Sequence, residues 1–253
     1  MIRIVKIGGR PQSDPQLPAT IAASVGGGAP KLVLVHGGGD EISALQSALG
    51  GSTTFVGGRR VTTARDIDIV RMALSGSANK RLVAKLVDCG LNALGLSGED
   101  AGLISAEALD VEQLGYVGSP RQINVALLSH LLAGGYLPVI SPVSRDVRST
   151  DGSALNVNGD DAAAAIAVAL RAEELVLVAD VEGVMSDGCV IPNLTIDGAR
   201  RLIENGTANN GMRAKLEAGM AAINGGVGCV RISDLSALTD PSRGTCLSAF
   251  GEF

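Results

Sequence analysis

Aromatic residues are scarce in this sequence of 253 residues, which has no tryptophan, two tyrosines and three phenylalanines. Its formal net charge at pH 7 is -5. Proteins that bind nucleic acid usually present a basic surface together with aromatic rings on which bases stack. The composition therefore argues against a nucleic-acid partner.

Closely spaced cysteines and long apolar runs are also missing. The four cysteines form no C-x-x-C pair, which argues against a zinc ribbon and a disulfide scaffold and predicts reduced thiols. Hydrophobic residues make up 46% of the chain, yet no run approaches the roughly 20 apolar residues that span a bilayer. The first residues enter a strand directly, without the apolar region of a secretory signal. We expect a soluble, cytoplasmic protein with no membrane partner.

The length allows one large α/β domain or two lobes that share a sheet. We expect two lobes on one continuous sheet, residues 1–145 and 146–253, with an approximate boundary.

A glycine-rich turn in residues 31–46 organises the first lobe. An apolar run over 32–35 predicts a strand, Gly37, Gly38 and Gly39 follow, and Ile42 opens a helical spacing. Glycines before a helix N-terminus let backbone N–H groups approach a carboxylate or phosphate. The alternative is an ordinary strand-to-helix turn with glycines for packing.

Lys6 lies near the end of an apolar strand predicted over 2–7. Gly8 and Gly9 follow directly after this strand. The ammonium group of Lys6 is explained either by an approach to phosphate oxygens or by an edge strand that a lysine protects from aggregation. The proline-rich residues 10–18 predict a loop, with a short helix over 17–25 after it, and the glycines at 26–28 predict a plain connector.

Arginines and a helix cap follow the glycine turn. Arg59 and Arg60 are predicted on a loop, where a guanidinium can bind a carboxylate through two parallel hydrogen bonds; Arg60 is the stronger candidate and Arg59 a surface residue. Thr63 and Asp66 have the spacing of a capping box. The helix that they open is predicted to pause near Gly76, before a second helix over 79–88.

Polar residues cluster again in the second lobe. Asp160 and Asp161 suit a helix N-terminus, whereas Asn156 and Asn158 point to one side of an extended segment, which capping explains less well. Asp180 follows a predicted strand, at the end where open α/β sheets bind ligands. A later amphipathic helix over 212–223 carries Lys215, which by itself indicates only a solvated helix face.

Seven ordered segments resemble the motif series of the amino-acid kinase family, and in particular its branch that phosphorylates N-acetylglutamate. No G-x-x-x-x-G-K-[ST] motif is present, which excludes a P-loop kinase. The segments cover almost the whole chain and are Lys6–Gly9, Val35–Gly39, Gly58–Thr62, Asn79–Lys80, Asn156–Asp160, Asp180–Val184 and Gly211–Lys215.

The resemblance implies a three-layer αβα sandwich with a mostly parallel sheet, an acceptor-binding and dimerising first lobe, and a nucleotide-binding second lobe. It implies phosphorylation of the side-chain carboxylate of N-acetyl-L-glutamate by ATP, for arginine or ornithine synthesis, with Mg²⁺ carried on the nucleotide phosphates and no metal ligand from the protein. The implied catalytic residues are Lys6, Lys215 and Asp160, and the implied acceptor-binding residues are Gly38, Gly39, Arg60 and Asn156. The implied nucleotide-binding residues are Gly8, Gly9, Asp180, Val181, Glu182, Gly183, Val184, Met185, Thr207, Ala208 and Asn209.

Residue chemistry agrees with a carboxylate acceptor. A carboxylate is ionised at pH 7 and needs no general base, which suits a chain with two histidines. Two alternatives stay open: the same reaction on another acylated acceptor, such as N-succinylglutamate or a carrier-linked aminoadipate or glutamate, and a non-catalytic amino-acid or nucleotide sensor. Because the chain starts at its first strand, we expect a homodimer without the extra N-terminal helix of the arginine-inhibited members.

Overall fold

A mostly parallel β-sheet runs through the molecule. The computed structural model describes residues 1–26, 31–186 and 188–249. Eleven strands of this part of the chain form the main sheet, and two short hairpins stand apart from it. In chain order the strands are β1 Ile2–Ile7, β2 Lys31–His36, β3 Phe55–Val56, β4 Arg59–Arg60, β5 Ala93–Gly98, β6 Ile104–Ala108, β7 Val117–Ile123, β8 Leu137–Asp146, β9 Ala154–Val157, β10 Glu174–Val178, β11 Met185–Ser186, β12 Cys189–Val190, β13 Asn193–Thr195, β14 Cys229–Ser233 and β15 Thr245–Ser248.

Helices connect most of these strands. The α-helices are α1 Gly9–Gln12, α2 Leu17–Ala23, α3 Gly39–Ala48, α4 Ala64–Val70, α5 Asn79–Asp88, α6 Val111–Leu114, α7 Val125–Ala133, α8 Gly159–Ala169, α9 Ile196–Glu204 and α10 Asn210–Asn224. A π-helix, Arg71–Ala78, joins α4 to α5, and 3₁₀-helices span Asp100–Gly102 and Leu235–Leu238. None of the helices in the described ranges has both the length and the apolar character of a membrane span.

The main sheet has the strand order β13-β15-β14-β10-β1-β2-β8-β6-β7-β9, and β5 also pairs with β8. Strand β1 lies between β10 and β2 and is parallel to both. Lys6 is therefore on an interior strand, and its interpretation as a guard on a sheet edge is wrong. Parallel pairing instead brings the carboxyl ends of three strands, and the turns that follow them, to one edge of the sheet.

Alternating side chains of β1 reach opposite faces of the sheet, as the period of a strand requires. Ile4 packs in an apolar cluster with residues of α8 and α10, whereas Val5 and Ile7 pack in another with residues of α2 and α5. Helices therefore cover both faces. This arrangement confirms the three-layer αβα sandwich with a mostly parallel sheet.

The predicted loop over residues 10–18 is partly wrong, because α1 occupies its start. The backbone N–H of Gln12 donates to Gly8 O over 3.2 Å. Pro11 lies in this first turn, where a proline removes no helical hydrogen bond. Of the glycines predicted as a plain connector, Gly26 is described, and residues 27 and 28 lie outside the described ranges.

The predicted pause at Gly76 is also wrong, because the chain passes through the π-helix into α5 without a break. The N–H of Asn79 donates to Leu74 O, five residues back, which is the π-helical spacing. A glycine inside a helix costs only about 1 kcal/mol relative to alanine, so packing overrides it. The capping box predicted at Thr63 and Asp66 is present at the start of α4.

The predicted division into two lobes stays a prediction. Strand β8 runs across the proposed boundary between residues 145 and 146.

The four cysteines have free thiols; Cys246 is buried, whereas Cys89 and Cys189 are exposed.

Candidate active site

Two lysines from distant parts of the chain meet on one buried carboxylate. Lys6 lies near the end of β1, Asp160 in the first turn of α8 and Lys215 in the second turn of α10. Lys6 Nζ is 2.8 Å from Asp160 Oδ1, and Lys215 Nζ is 3.2 Å from both carboxylate oxygens. The exposed side-chain fractions are only 10% for Lys6, 6% for Asp160 and 12% for Lys215. The cluster thus has one net positive charge beside the carboxyl end of the sheet.

Burial and mutual interaction determine the charges of this cluster. Burial by itself raises the pKa of Asp160, but Lys6 and Lys215 outweigh it and hold this pKa below its usual value. Burial and the neighbouring Lys6 lower the pKa of Lys215 to about 8, against the attraction of Asp160. Without a bound anion, one carboxylate must compensate two ammonium groups. A phosphate would relieve this imbalance.

The two glycine turns abut beside the cluster. A Cβ atom on Gly9 would lie 3.8 Å from Gly39 N, and one on Gly37 would lie 3.8 Å from Gly9 N. Gly38 has φ +154° and a hypothetical Cβ 2.7 Å from Leu74 Cδ2, so both conformation and space require glycine there. Backbone amides of two parallel strand ends can therefore approach one small anion.

Two cavities meet at this point. The glycine pocket, about 200 Å³, is lined by Gly37, Gly38, Gly39, Ile42, Phe55, Gly58, Arg59, Arg60, Leu74, Val117, Pro142, Asn156, Val157, Asn158 and Gly159. The cation pocket, about 560 Å³, is lined by Lys6, Gly8, Gly9, Arg10, Pro11, Phe55, Gly58, Asn158, Asp160, Val178, Ala179, Asp180, Asn210, Gly211, Ala214 and Lys215. Phe55, Gly58 and Asn158 line both pockets, so the hairpin of β3 and β4 extends over the boundary between them.

Asn158 is the N-cap of α8, so capping explains this residue better than the sequence indicated. Its side chain accepts a hydrogen bond of 2.8 Å from Asp160 N. Asn158 thus satisfies one of the backbone N–H groups at the start of this helix. Asn156 instead donates to Thr62 Oγ1 over 3.0 Å. Gly159 leaves room for Lys6, since a Cβ there would lie 3.1 Å from Lys6 Cε.

The model of the amino acid kinase family matches residues 1–234 of this chain. The chain belongs to the amino acid kinase family. The acetylglutamate kinase of Chloroflexus aurantiacus is 43% identical over 241 residues, which are 94% of each chain.

Solved structures of related proteins agree with the fold of this amino acid kinase. The smu.665 protein of Streptococcus mutans superposes with a TM-score of 0.87 at 29% identity, covering 98% of this chain and 99% of the other. Carbamate kinase from Giardia lamblia, bound to AMP-PNP, superposes with a TM-score of 0.71 at 17% identity and 98% coverage of each chain. At that identity the second likeness concerns the fold alone.

Arg60 of this amino acid kinase lies on β4, not on a loop, and its guanidinium binds protein acceptors. Nη1 donates to Gln46 Oε1 at 2.7 Å, and Nη2 donates to Gly39 O at 2.8 Å and Ser43 Oγ at 2.9 Å. Burial lowers the pKa of Arg60, against the attraction of acidic neighbours. An acceptor carboxylate at this position would therefore meet a guanidinium whose Nη1 and Nη2 groups already donate to the protein.

Sequence reasoning missed Gln46, which is fully buried and donates to Asp66 Oδ1 over 2.9 Å. Its position one turn after Ile42, on the buried face of α3, is a signal that could have identified it. Arg59 is paired with Asp161 at 2.9 Å and is only partly exposed, so its prediction as a surface residue is incomplete.

The predicted nucleotide residues of this amino acid kinase are divided between the cation pocket and its surroundings. Gly8, Gly9 and Asp180 line the pocket. The side chains of Val184 and Ala208 are buried in the main core, and Gly183 packs closely against Val190 and Thr245. The remaining predicted residues are exposed and are Val181, Glu182, Met185, Thr207 and Asn209.

Arg10 was also missed, because no motif marks it. Its Nη1 lies 2.8 Å from Asp180 Oδ2 at the cation pocket, with exposed side-chain fractions of 79% for Arg10 and 52% for Asp180.

Within the described ranges, His, Cys, Asp and Glu side chains form no group of three or more that could hold a metal ion. In the cation pocket Asp160 is engaged by the lysines and Asp180 by Arg10. This donor set fits Mg²⁺ only as a companion of phosphate, since the ion keeps several waters and takes phosphate oxygens as ligands.

Proposed function

We propose that this chain transfers the γ-phosphoryl group of ATP to the side-chain carboxylate of N-acetyl-L-glutamate, a step of arginine or ornithine synthesis. The observation that carries the proposal is the convergence of Lys6 and Lys215 on Asp160, directly beside the glycine turns. An oxygen of the acceptor carboxylate forms a bond to the γ-phosphorus as the bond from that phosphorus to the ADP oxygen breaks. The products are an acyl phosphate and ADP, and no proton leaves the acceptor.

Lys6 and Lys215 compensate the charge of the transferring phosphoryl group in this proposal. Phosphoryl transfer needs alignment of two anions that repel each other and cations placed where negative charge develops. Asp160 keeps both ammonium groups directed at the same point, since its two oxygens contact both of them. ATP-bound Mg²⁺ supplies further charge neutralisation on the phosphate oxygens.

The acceptor is assigned to the glycine pocket. Amides of Gly38 and Gly39 face the reacting carboxylate, and Arg60 and Asn156 hold the acylated amino-acid end. The pocket supports this because all four residues line it. A volume of about 200 Å³ suits a small acylated amino acid.

The nucleotide is assigned to the cation pocket and the surface that follows it. Gly8 and Gly9 lie against the phosphates, and segments 180–185 and 207–209 border the nucleoside. This assignment is supported by the parallel pairing of β1 with β10, which brings Gly8 close to the end of β10. A Cβ atom on Gly8 would lie 3.4 Å from Val178 O. Homodimer formation and a cytoplasmic location stay predictions.

A hydroxamate assay tests the proposed reaction, because hydroxylamine traps an acyl phosphate as it forms. Purified protein is incubated with ATP, Mg²⁺ and, separately, N-acetylglutamate, N-succinylglutamate and other N-acylated acidic amino acids. We expect the highest kcat/KM with N-acetylglutamate. Preference for a different acyl group would reject the named substrate, and no product with any acceptor would reject the reaction.

Lys215→Ala tests the role of the second ammonium group. We expect kcat to fall by about 100-fold or more, the usual cost of removing one stabilising group, with acceptor binding by calorimetry retained. The matched control is Lys85→Ala, on an exposed position of α5. Normal turnover by Lys215→Ala would show that its assigned role is wrong.

A further inference from the structure

His36 is a buried titratable residue for which the proposed reaction has no use. It ends β2, directly before the glycine turn, and its exposed fraction is 0%. Burial lowers the pKa of His36, against smaller influences of Gly37 O and Glu41. The imidazole is therefore neutral at pH 7, with one ring nitrogen as donor and the other as acceptor.

Asn79 determines which nitrogen is the donor. Its Nδ2 lies 3.0 Å from His36 Nε2 and 2.9 Å from Val139 O, while Lys80 Nζ lies 3.2 Å from its Oδ1. Val139 O can only accept and the Lys80 ammonium can only donate, so together they fix which end of the Asn79 amide is nitrogen and which is oxygen. Asn79 Nδ2 must therefore donate to His36 Nε2, which leaves the proton on Nδ1. That nitrogen donates to Gly37 O over 2.9 Å.

The bond to Gly37 O orients the amide that follows it. Gly37 O and the N–H of Gly38 belong to one planar trans peptide and point in opposite directions. The glycines have no side chains that could hold this peptide, and Gly38 has a backbone conformation open mainly to glycine. A donor fixed on Gly37 O thus fixes the direction of the Gly38 N–H.

We propose that His36, held in its Nδ1–H tautomer by Asn79, is a positioning residue that aims the Gly38 amide at the acceptor carboxylate. The inference rests on the proposed function, in which that amide contacts the reacting group. His36 is fully buried and is not among the residues that line the glycine pocket or the cation pocket.

The π-helix places Asn79 where this chain of hydrogen bonds needs it. Asn79 is the residue at which the π-helical spacing ends, and it is fully buried. In the same π-helix, Leu74 lies against Gly38. One widened helical stretch thus packs against the glycine turn and supports the histidine behind it, in keeping with the frequent occurrence of such stretches at functional sites.

Two substitutions of His36 separate its two hydrogen bonds. In His36→Asn the amide nitrogen takes the place of Nδ1 and keeps the bond to Gly37 O, but the contact with Asn79 is lost. In His36→Gln the amide takes the place of Nε2 and keeps the contact with Asn79, but the donor to Gly37 O is lost. Both lose ring volume, so both are expected to lower Tm.

We expect His36→Gln to lower kcat/KM for N-acetylglutamate by about 10- to 100-fold, the range for a displaced stabilising group, with KM for ATP unchanged. His36→Asn is expected to retain most of the wild-type turnover despite its lower Tm. His130→Gln, at an exposed position of α7, is the control for histidine loss. Turnover that follows Tm across the variants, or a better enzyme with Gln than with Asn, would overturn the inference.

The tautomer is measured on the wild-type protein, which keeps the test independent of the variants' folding. With two histidines in the chain, nitrogen-15 NMR of the imidazoles, assigned with His130→Gln, gives two sets of signals. We expect the Nδ1–H form for His36, and an Nε2–H or doubly protonated ring at pH 7 would overturn the inference. Inactivity of the wild-type protein in the hydroxamate assay would instead reject the proposed function.

Discussion

Lys215 is expected to lose its charge within the pH range in which the enzyme can be assayed. Burial, reinforced by Lys6 and opposed by Asp160, lowers its pKa to about 8 in the free protein. The group is an ammonium below that pH and a neutral amine above it. Because the proposed transfer needs the ammonium, we expect kcat/KM for ATP to fall as the pH rises through about 8.

The size of this effect follows from the displacement of the pKa. A change from 10.5 to about 8 corresponds to a penalty on the charged form of about 3 kcal/mol at 1.36 kcal/mol per pH unit. The folded protein binds fewer protons than the unfolded chain between these values, so this contribution to stability increases with pH across the window. Bound phosphates attract the ammonium and raise the pKa again. The alkaline loss is therefore expected in kcat/KM for ATP, which reports the enzyme before ATP binds, more than in kcat.

The assay measures kcat/KM for ATP from about pH 7 to about pH 10, with N-acetylglutamate at saturation. Lys215→Arg is the matched variant, since a guanidinium stays charged over this range. We expect a lower overall rate for the variant and no alkaline loss near the wild-type midpoint. A wild-type profile that stays flat over the range, or a loss that is identical in both proteins, would refute the reasoning.

Three further substitutions test other parts of the structure. Asp160→Asn leaves two buried ammonium groups without their carboxylate, and we expect a loss of about 3–5 kcal/mol in urea unfolding together with a steep fall in kcat. Gly38→Ala, with a methyl group 2.7 Å from Leu74 Cδ2, is expected to weaken acceptor binding by calorimetry and to leave ATP binding intact; equal loss of both ligands would contradict this. Thr63→Ala removes the acceptor for Asp66 N and should lower the free energy of unfolding by about 1 kcal/mol; an unchanged urea midpoint would count against the capping box.

Local signals predicted the secondary structure around the site well. The capping box at Thr63, the strand over 2–7 and the start of α5 at Asn79 all depend on side chains and backbone groups a few residues apart. Local signals failed where packing overrides a weak preference. Gly76 did not interrupt the helix, and the prolines after Gly9 did not prevent a helical turn.

The meeting of Lys6 and Lys215 was predicted from the resemblance to a family. No local sequence pattern predicted it. Taken alone, the spacing around Lys215 predicts an exposed residue, whereas the structure buries it on Asp160. Gln46 behind Arg60 and Arg10 beside Asp180 were not predicted. In each case the partner comes from another element of the fold.

The sequence by itself determined the sheet-forming segments, the helix starts and the glycine turn, because the forces involved act between residues within about one helical turn or one strand repeat. Only the tertiary structure decided which polar groups meet. His36 and Asn79 are 43 positions apart, and Lys215 and Asp160 are 55 apart. Such groups are brought together by the burial of apolar faces on both sides of one sheet, and their hydrogen bonds form because burial leaves them no water to bind.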